Sequence, residues 1–249
     1  MELNYKTISW KDYTRLYVEN EHPPSTIFHK HVSKRLAKIL TFIFLKIDIS
    51  PNKLSLSSFL LVLFSLLGVL IIKDPLLGSF TFLFLSQLSY AIDCSDGVVA
   101  RITKKTSSFG GFLDLTLDRL SSSFLLVGTL YYLFNNDTEM NLILGSLIGF
   151  LTYQFYSYMS DIRGFTYKAL KGYTKTIDDK SFKRVFILFI YEFIDTGTFY
   201  FMLFIGFFLQ AIPWVMMIYF MLSTILILAN YYLLFSLKEE TRYVVFIFF

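Results

Sequence analysis

The sequence predicts an all-α integral membrane protein: six transmembrane helices, preceded by an N-terminal cytoplasmic, interfacial amphipathic helix. Three observations carry this expectation. Hydrophobic residues make up 55% of the 249, and the mean hydropathy is +0.55, which is too apolar for an ordinary soluble domain. Six stretches approach the roughly 20 apolar residues that a helix needs to cross a hydrocarbon core; they run over 54–72, 76–100, 112–134, 142–159, 185–209 and 212–237. Basic residues gather in alternate connections, as they do in a chain that crosses a membrane repeatedly. Segments inside lipid must satisfy their own backbone hydrogen bonds, so the spans are helices rather than isolated strands. The expected organisation is a cytoplasmic arm and interfacial helix over 1–50, a six-helix catalytic domain over 51–237 and a short tail over 238–249.

Residues 1–28 are polar, with Trp10 and a Pro23–Pro24 break, and read as a loop or loosely packed cap. The first residues lack the apolar core of a signal peptide. Residues 29–47 place a basic half before an apolar half, with Lys and Arg mostly between apolar positions. That pattern suits a helix lying in the interface, with a short, partly inserted helix as the alternative. Ser50-Pro51-Asn52 opens the first span, since proline is tolerated in a first helical turn. Asn135, Asn136 and Asp137 form a polar turn on the outer side, and 161–184 is a long charged connection. The final residues, 243–249, are apolar but too short to cross.

Charge orients the chain. Nine Lys and Arg residues precede the first span, counting Lys53. Arg101, Lys104 and Lys105 follow the second span, and seven more, from Arg163 to Arg184, follow the fourth. The intervening loops offer only Lys73 against Asp74, Asp137 and Glu139. Positive-inside bias then places both termini and the even-numbered loops in the cytoplasm. The net charge of +4 is mostly this cytoplasmic excess, suited to anionic lipid headgroups and phosphate-bearing substrates; no nucleic-acid partner is expected. Cys94 is the only cysteine, which excludes an intrachain disulfide and suggests no cysteine-based zinc site.

The chemistry concentrates between the second and third spans. Asp93 and Asp96 are three apart, and Asp114 and Asp118 are four apart, so each pair shares a helical face. Helices joined by the short turn 103–108 are neighbours, and the four carboxylates converge near its end. An Asp at the centre of a membrane helix costs about 2.5–3.5 kcal/mol even on mild scales. Hard divalent cations offset that cost, and Mg²⁺ prefers carboxylates, phosphates and water. Two such ions sharing these ligands would hold a diphosphate during displacement at phosphorus. Gly97, Ala100 and Gly110 are small enough for a nucleotide or a neighbouring backbone to come close. Arg101 suits bidentate phosphate binding and equally serves as a positive-inside anchor.

These eight residues, Asp93, Asp96, Gly97, Ala100, Arg101, Gly110, Asp114 and Asp118, reproduce with every spacing intact the signature D-x2-D-G-x2-A-R-x8-G-x3-D-x3-D. In this the chain resembles the CDP-alcohol phosphotransferase (CDP-alcohol phosphatidyltransferase) family, class I. The six-helix layout and Ser50-Pro51-Asn52 also look like that family, so the likeness covers most of the chain but is specific in the hairpin. It implies that Asp93, Asp96 and Asp114 ligate two Mg²⁺ or Mn²⁺ ions, with Asp118 a further ligand or the general base. Gly97, Ala100, Arg101 and Gly110 would contact the cytidine nucleotide, and Asn52 more weakly. In the choline and ethanolamine branch a His follows the third Asp; here that position is Leu115, which returns the base role to Asp118.

The implied reaction is transfer of a substituted phosphate from a CDP-alcohol to an acceptor alcohol with release of CMP, in phospholipid or related phosphodiester biosynthesis. The donor is CDP-diacylglycerol or a small CDP-alcohol; glycerol phosphate, inositol phosphate and serine are candidate acceptors for the former. Arg119, beside Asp118, and Arg163, Lys168 and Arg184 are candidates for an acceptor phosphate. Glu192 and Asp195, three apart in the fifth span, suit acceptor binding or a buried polar contact with basic residues. Membrane lipids are expected partners, and the family likeness also implies a homodimer. The rival expectation is a multi-pass transporter with an intramembrane acidic site, although carriers tend to place their sites near the midplane on broken helices.

Overall fold

The structure, a computed structural model, describes residues 5–21, 29–169 and 196–236, with the side chains of 6, 29, 75, 160–169 and 229–236 outside that description. Among the described residues every regular element is a helix. They fall into two compact units, one of Met1–Thr138 with Asp195–Ile212 and the other of Glu139–Ile194 with Pro213–Phe249.

The first unit begins with a 3-10 turn, Tyr5–Thr7, and the helix α1, Trp10–Asn20. Ser9 caps α1 by accepting the Asp12 N–H at 3.2 Å, satisfying a donor that the first turn leaves unpaired. Tyr13 and Tyr17, four apart on one face, are buried, and the Tyr13 hydroxyl donates to the Lys38 carbonyl at 2.5 Å. The arm is therefore a packed element, tighter than a loop or loose cap. Its helical signal is a face of tyrosines rather than an aliphatic stripe.

A π-helical turn, His29–Ser33, leads into α2, Lys34–Lys46. Ala37, Thr41 and Leu45 are buried along one face, while Leu36, Ile39 and Ile43 stay exposed on another. An apolar face left open in this way is what an interfacial helix offers to lipid. The small face packs on the helix α4, Pro75–Ile102, where the Ser95 hydroxyl donates to the Ala37 carbonyl at 3.2 Å.

The helix α3, Pro51–Ile71, turns back on α4 through three residues. Its buried face carries Ser55, Ser58 and Ser65 between Leu54, Val62, Leu66 and Val69, and small residues let helix backbones approach. The Ser89 hydroxyl donates to the Ser58 carbonyl at 2.7 Å across this seam. By length and composition α3 and residues Leu76–Ile102 of α4 are apolar enough to cross a membrane. Leu60, Phe64, Leu67 and Ile71 of α3 remain exposed, as side chains facing lipid would be.

The helix α5, Ser108–Asn135, follows a turn in which Lys104 takes a left-handed φ of 56°. α5 packs on α3, where Gly128 leaves room for Leu66. Both α4 and α5 approach α3 more closely than they approach one another, so the hairpin expected from the sequence is splayed. Its acidic residues meet across a cleft rather than along a packed seam. The helix α7, Thr196–Phe208, completes this unit against α4; the Gln87 Nε2 donates to the Gly197 carbonyl at 2.8 Å, and Phe207 packs edge-on against Phe82.

In the second unit, α6, Met140–Ala169, pairs with α8, Ile212–Ser236. A Cβ on Gly149 would run into the Met216 backbone carbonyl, and Tyr153 meets Tyr219 edge-on at 5.4 Å. The expected tail, 238–249, and most of the expected connection 161–184 lie outside the described residues.

Candidate active site

Asp93 and Asp96 lie on the C-terminal half of α4, and Asp114 and Asp118 on the first turns of α5. Carboxylate oxygens of Asp93, Asp114 and Asp118 come within 4.8 Å of one another, with Asp93 and Asp114 half-buried and Asp118 exposed. Three like charges at that separation repel strongly unless a cation or protons intervene. The donors are all oxygen, which fits a hard divalent cation such as Mg²⁺ or Mn²⁺ and does not fit a thiolate-seeking metal.

Asp96 is the least exposed of the four aspartates, at 5%. Ser55 of α3 donates its hydroxyl to Asp96 Oδ2 at 2.5 Å. This short bond holds the carboxylate from the neighbouring helix. Ser55 lies outside the aspartate signature, and its signal in the sequence is the serine spacing on α3.

Beside these acids opens a cavity of about 190 Å³. Asn52, Asp96, Gly97, Ala100, Arg101, Gly110 and Asp114, all predicted from the sequence, line it. Ser55, Lys105, Thr106 and Ser107 complete much of the wall. A Cβ on Gly97 would stand 3.2 Å from Arg101 Nη1, and one on Gly110 would stand 3.1 Å from Ser107 Oγ and 3.2 Å from Asn52 Oδ1. Both glycines therefore make room for polar side chains that face the cavity.

The helix starts add to its electrostatics. Asn52 lies in the first turn of α3, and Ser107 caps α5 by accepting the Gly110 N–H at 3.0 Å. Helix N-termini carry partial positive charge and unpaired N–H groups, a setting that favours phosphate. Lys105 at the rim pairs with Asp48 at 3.2 Å, with both side chains exposed, a contact that contributes little to stability.

The remaining predicted residues divide. Arg119 is half-buried on α5 within electrostatic reach of Asp118. The side chains of Arg163 and Lys168 lie outside the described residues, as do Arg184, Glu192 and Asp195 altogether.

A family model described as CDP-alcohol phosphatidyltransferase matches residues 48–228. The chain is 34% identical to an archaetidylinositol phosphate synthase of Pyrococcus horikoshii over 99 residues, 40% of this chain and 48% of that protein. It is 30% identical to a bifunctional IPC transferase and DIPP synthase of Thermococcus kodakarensis over 120 residues, 48% of this chain and 26% of that one. A further archaetidylinositol phosphate synthase, from Methanothermobacter thermautotrophicus, is 54% identical over 37 residues, 15% of this chain and 19% of that protein. Each match spans less than half of the relative's length.

Proposed function

The chain belongs to the CDP-alcohol phosphatidyltransferase family, and from that premise we propose that it transfers a substituted phosphate from a CDP-alcohol to an acceptor alcohol, releasing CMP. The observation that best supports this reading is the convergence of Asp93, Asp114 and Asp118 within 4.8 Å beside a cavity lined by Asp96, Arg101 and two helix starts. That arrangement suits a diphosphate with a leaving nucleotide.

Asp93, Asp96 and Asp114 would hold two Mg²⁺ or Mn²⁺ ions, with Asp118 a further ligand or the base; bound there, the ions supply charge neutralisation on the diphosphate and the leaving group. Arg101 and the N–H groups opening α3 and α5 bind phosphate oxygens. Asn52, Gly97, Ala100 and Gly110 face the cytidine. Asp118 accepts the proton of the acceptor hydroxyl as that oxygen bonds to the phosphorus carrying the alcohol moiety. The bond from that phosphorus to the CMP oxygen breaks, and CMP departs. Arg119 and Arg163 are proposed, from the sequence, as candidates for the acceptor's phosphate.

The relatives named archaetidylinositol phosphate synthases favour a lipid with an inositol phosphate headgroup as the product. Among the candidate acceptors this favours inositol phosphate over glycerol phosphate and serine. We also propose six spans for 51–237, both termini in the cytoplasm and the acidic cluster at the cytoplasmic face, supported by the placement of basic residues. The arm over 1–50 and the tail over 238–249 would lie on that side, and assembly as a homodimer is proposed from the family likeness.

Isolated membranes carrying the chain should release CMP from one donor–acceptor pair when given Mg²⁺ or Mn²⁺, and chelation should abolish the release. The panel is CDP-diacylglycerol and small CDP-alcohols against inositol phosphate, glycerol phosphate and serine. Absence of CMP release from every pair would overturn the reading and return weight to the transporter alternative.

A further inference from the structure

Arg101 is held from outside the cavity that it lines. Its Nε–H donates to the carbonyl of Asn20 at 2.6 Å, and Asn20 is the last residue of α1. The guanidinium lies over Gly97, with Nη1 3.2 Å from where a Cβ on that glycine would be. A guanidinium carries its N–H donors in one rigid plane. Tying Nε therefore fixes the orientation of the plane while the Nη groups stay on the cavity side. The partner is also electrostatically apt, because unpaired carbonyls at a helix C-terminus carry partial negative charge.

The rest of the arm keeps that carbonyl in place. Tyr13 and Tyr17 are buried in one cluster with Val98, Val99 and Ile102 of α4. The Tyr5 hydroxyl donates to the Ile102 carbonyl at 2.9 Å, one residue beyond Arg101. The Asn20 side chain donates back to the Leu16 carbonyl at 2.9 Å, closing the end of α1. Burial, and then the charge of Glu21, push the Tyr17 phenol above its ordinary range, while the Arg101 charge opposes the rise.

We infer that the arm, residues 5–21, is a positioning element for Arg101, so that its docking on α4 sets affinity for the phosphate of the cytidine nucleotide. The inference rests on the reading of this cavity as the nucleotide site. Tyr5 and Tyr17 are positioning residues, acting through Arg101 rather than touching the nucleotide.

A double-mutant cycle on the full chain, purified in detergent, tests it with CMP and Mg²⁺ as the probe. Tyr17→Ala should weaken CMP binding about tenfold when Arg101 is present, the scale of one hydrogen bond to a charged group. In an Arg101→Lys background, which lacks the Nε–H, the same change should alter binding by less than about twofold. Tyr5→Phe removes a single hydroxyl and should lose about threefold, with the same dependence on Arg101, and it carries the test if Tyr17→Ala does not fold. During turnover both variants should raise the donor KM and leave the acceptor KM and kcat unchanged. Equal losses in both backgrounds, or no loss in either, overturn the inference while leaving the nucleotide site in place. A wild-type chain that binds no CMP overturns the site reading and this inference together.

Discussion

Two residues beside the acids separate this account from one in which the carboxylates act alone. Ser55 donates its hydroxyl to the buried Asp96. Ser55→Ala leaves that carboxylate one partner short, a loss of about 1.5–3 kcal/mol for a bond to a charged group. The expected result is a roughly tenfold or larger fall in kcat/KM and a higher Mg²⁺ concentration for half-maximal activity; an unchanged Mg²⁺ curve contradicts it. Gly97 answers to Arg101 instead. A methyl at Gly97 would stand 3.2 Å from Nη1, so the guanidinium must shift by a few tenths of an ångström. Gly97→Ala is expected to raise the donor KM and spare the Mg²⁺ response, and the two variants together distinguish acid support from nucleotide contact. The acids were legible in the sequence because i+3 and i+4 spacing is local information. Ser55–Asp96 and Arg101–Asn20 join residues 41 and 81 apart, and no local periodicity encodes such pairs.

At the scale of the element, the helices separate into those read from apolar runs and those fixed by tertiary partners. α3 and α4 follow directly from long apolar stretches that start at a proline preceded by Ser50 or Asp74. α1 did not, because its apolar face consists of tyrosines whose burial depends on α2 and α4. The splay of α4 and α5 was equally hidden. A short turn predicts neighbours, but the common partner α3, with Gly128 admitting Leu66, decides how closely they lie. In the second unit the α6–α8 contact turns on Gly149, whose added Cβ would meet the backbone of Met216. A backbone cannot yield as a side-chain tip does, and overpacking of this kind costs about 1–3 kcal/mol. Gly149→Ala is therefore expected to lower the melting temperature in detergent, and a melting curve identical to wild type contradicts that seam.

For the whole molecule, the proposed six-span topology makes a test independent of catalysis. With Cys94, the only native cysteine, replaced by Ser, single cysteines at Thr106 and Thr138 report the two ends of α5. In intact cells a membrane-impermeant maleimide should label the Thr138→Cys variant, and should label Thr106→Cys only after lysis. The reverse pattern would place the acidic cluster on the outer side, away from a cytoplasmic nucleotide. Composition made the all-helical class legible, and basic-residue placement made the topology readable as a proposal.

The central claim is that Asp118 takes the proton of the acceptor hydroxyl beside carboxylates that hold divalent cations. Its most direct test compares CMP release by the wild-type chain and Asp118→Asn, each purified in detergent with the same donor, acceptor and Mg²⁺. The substitution keeps the side-chain size and removes the basic carboxylate. The account predicts loss of release by a factor of about 10² or more, as removal of a general base commonly causes, with an unchanged melting curve. CMP release at the wild-type rate by a folded Asp118→Asn chain would contradict it.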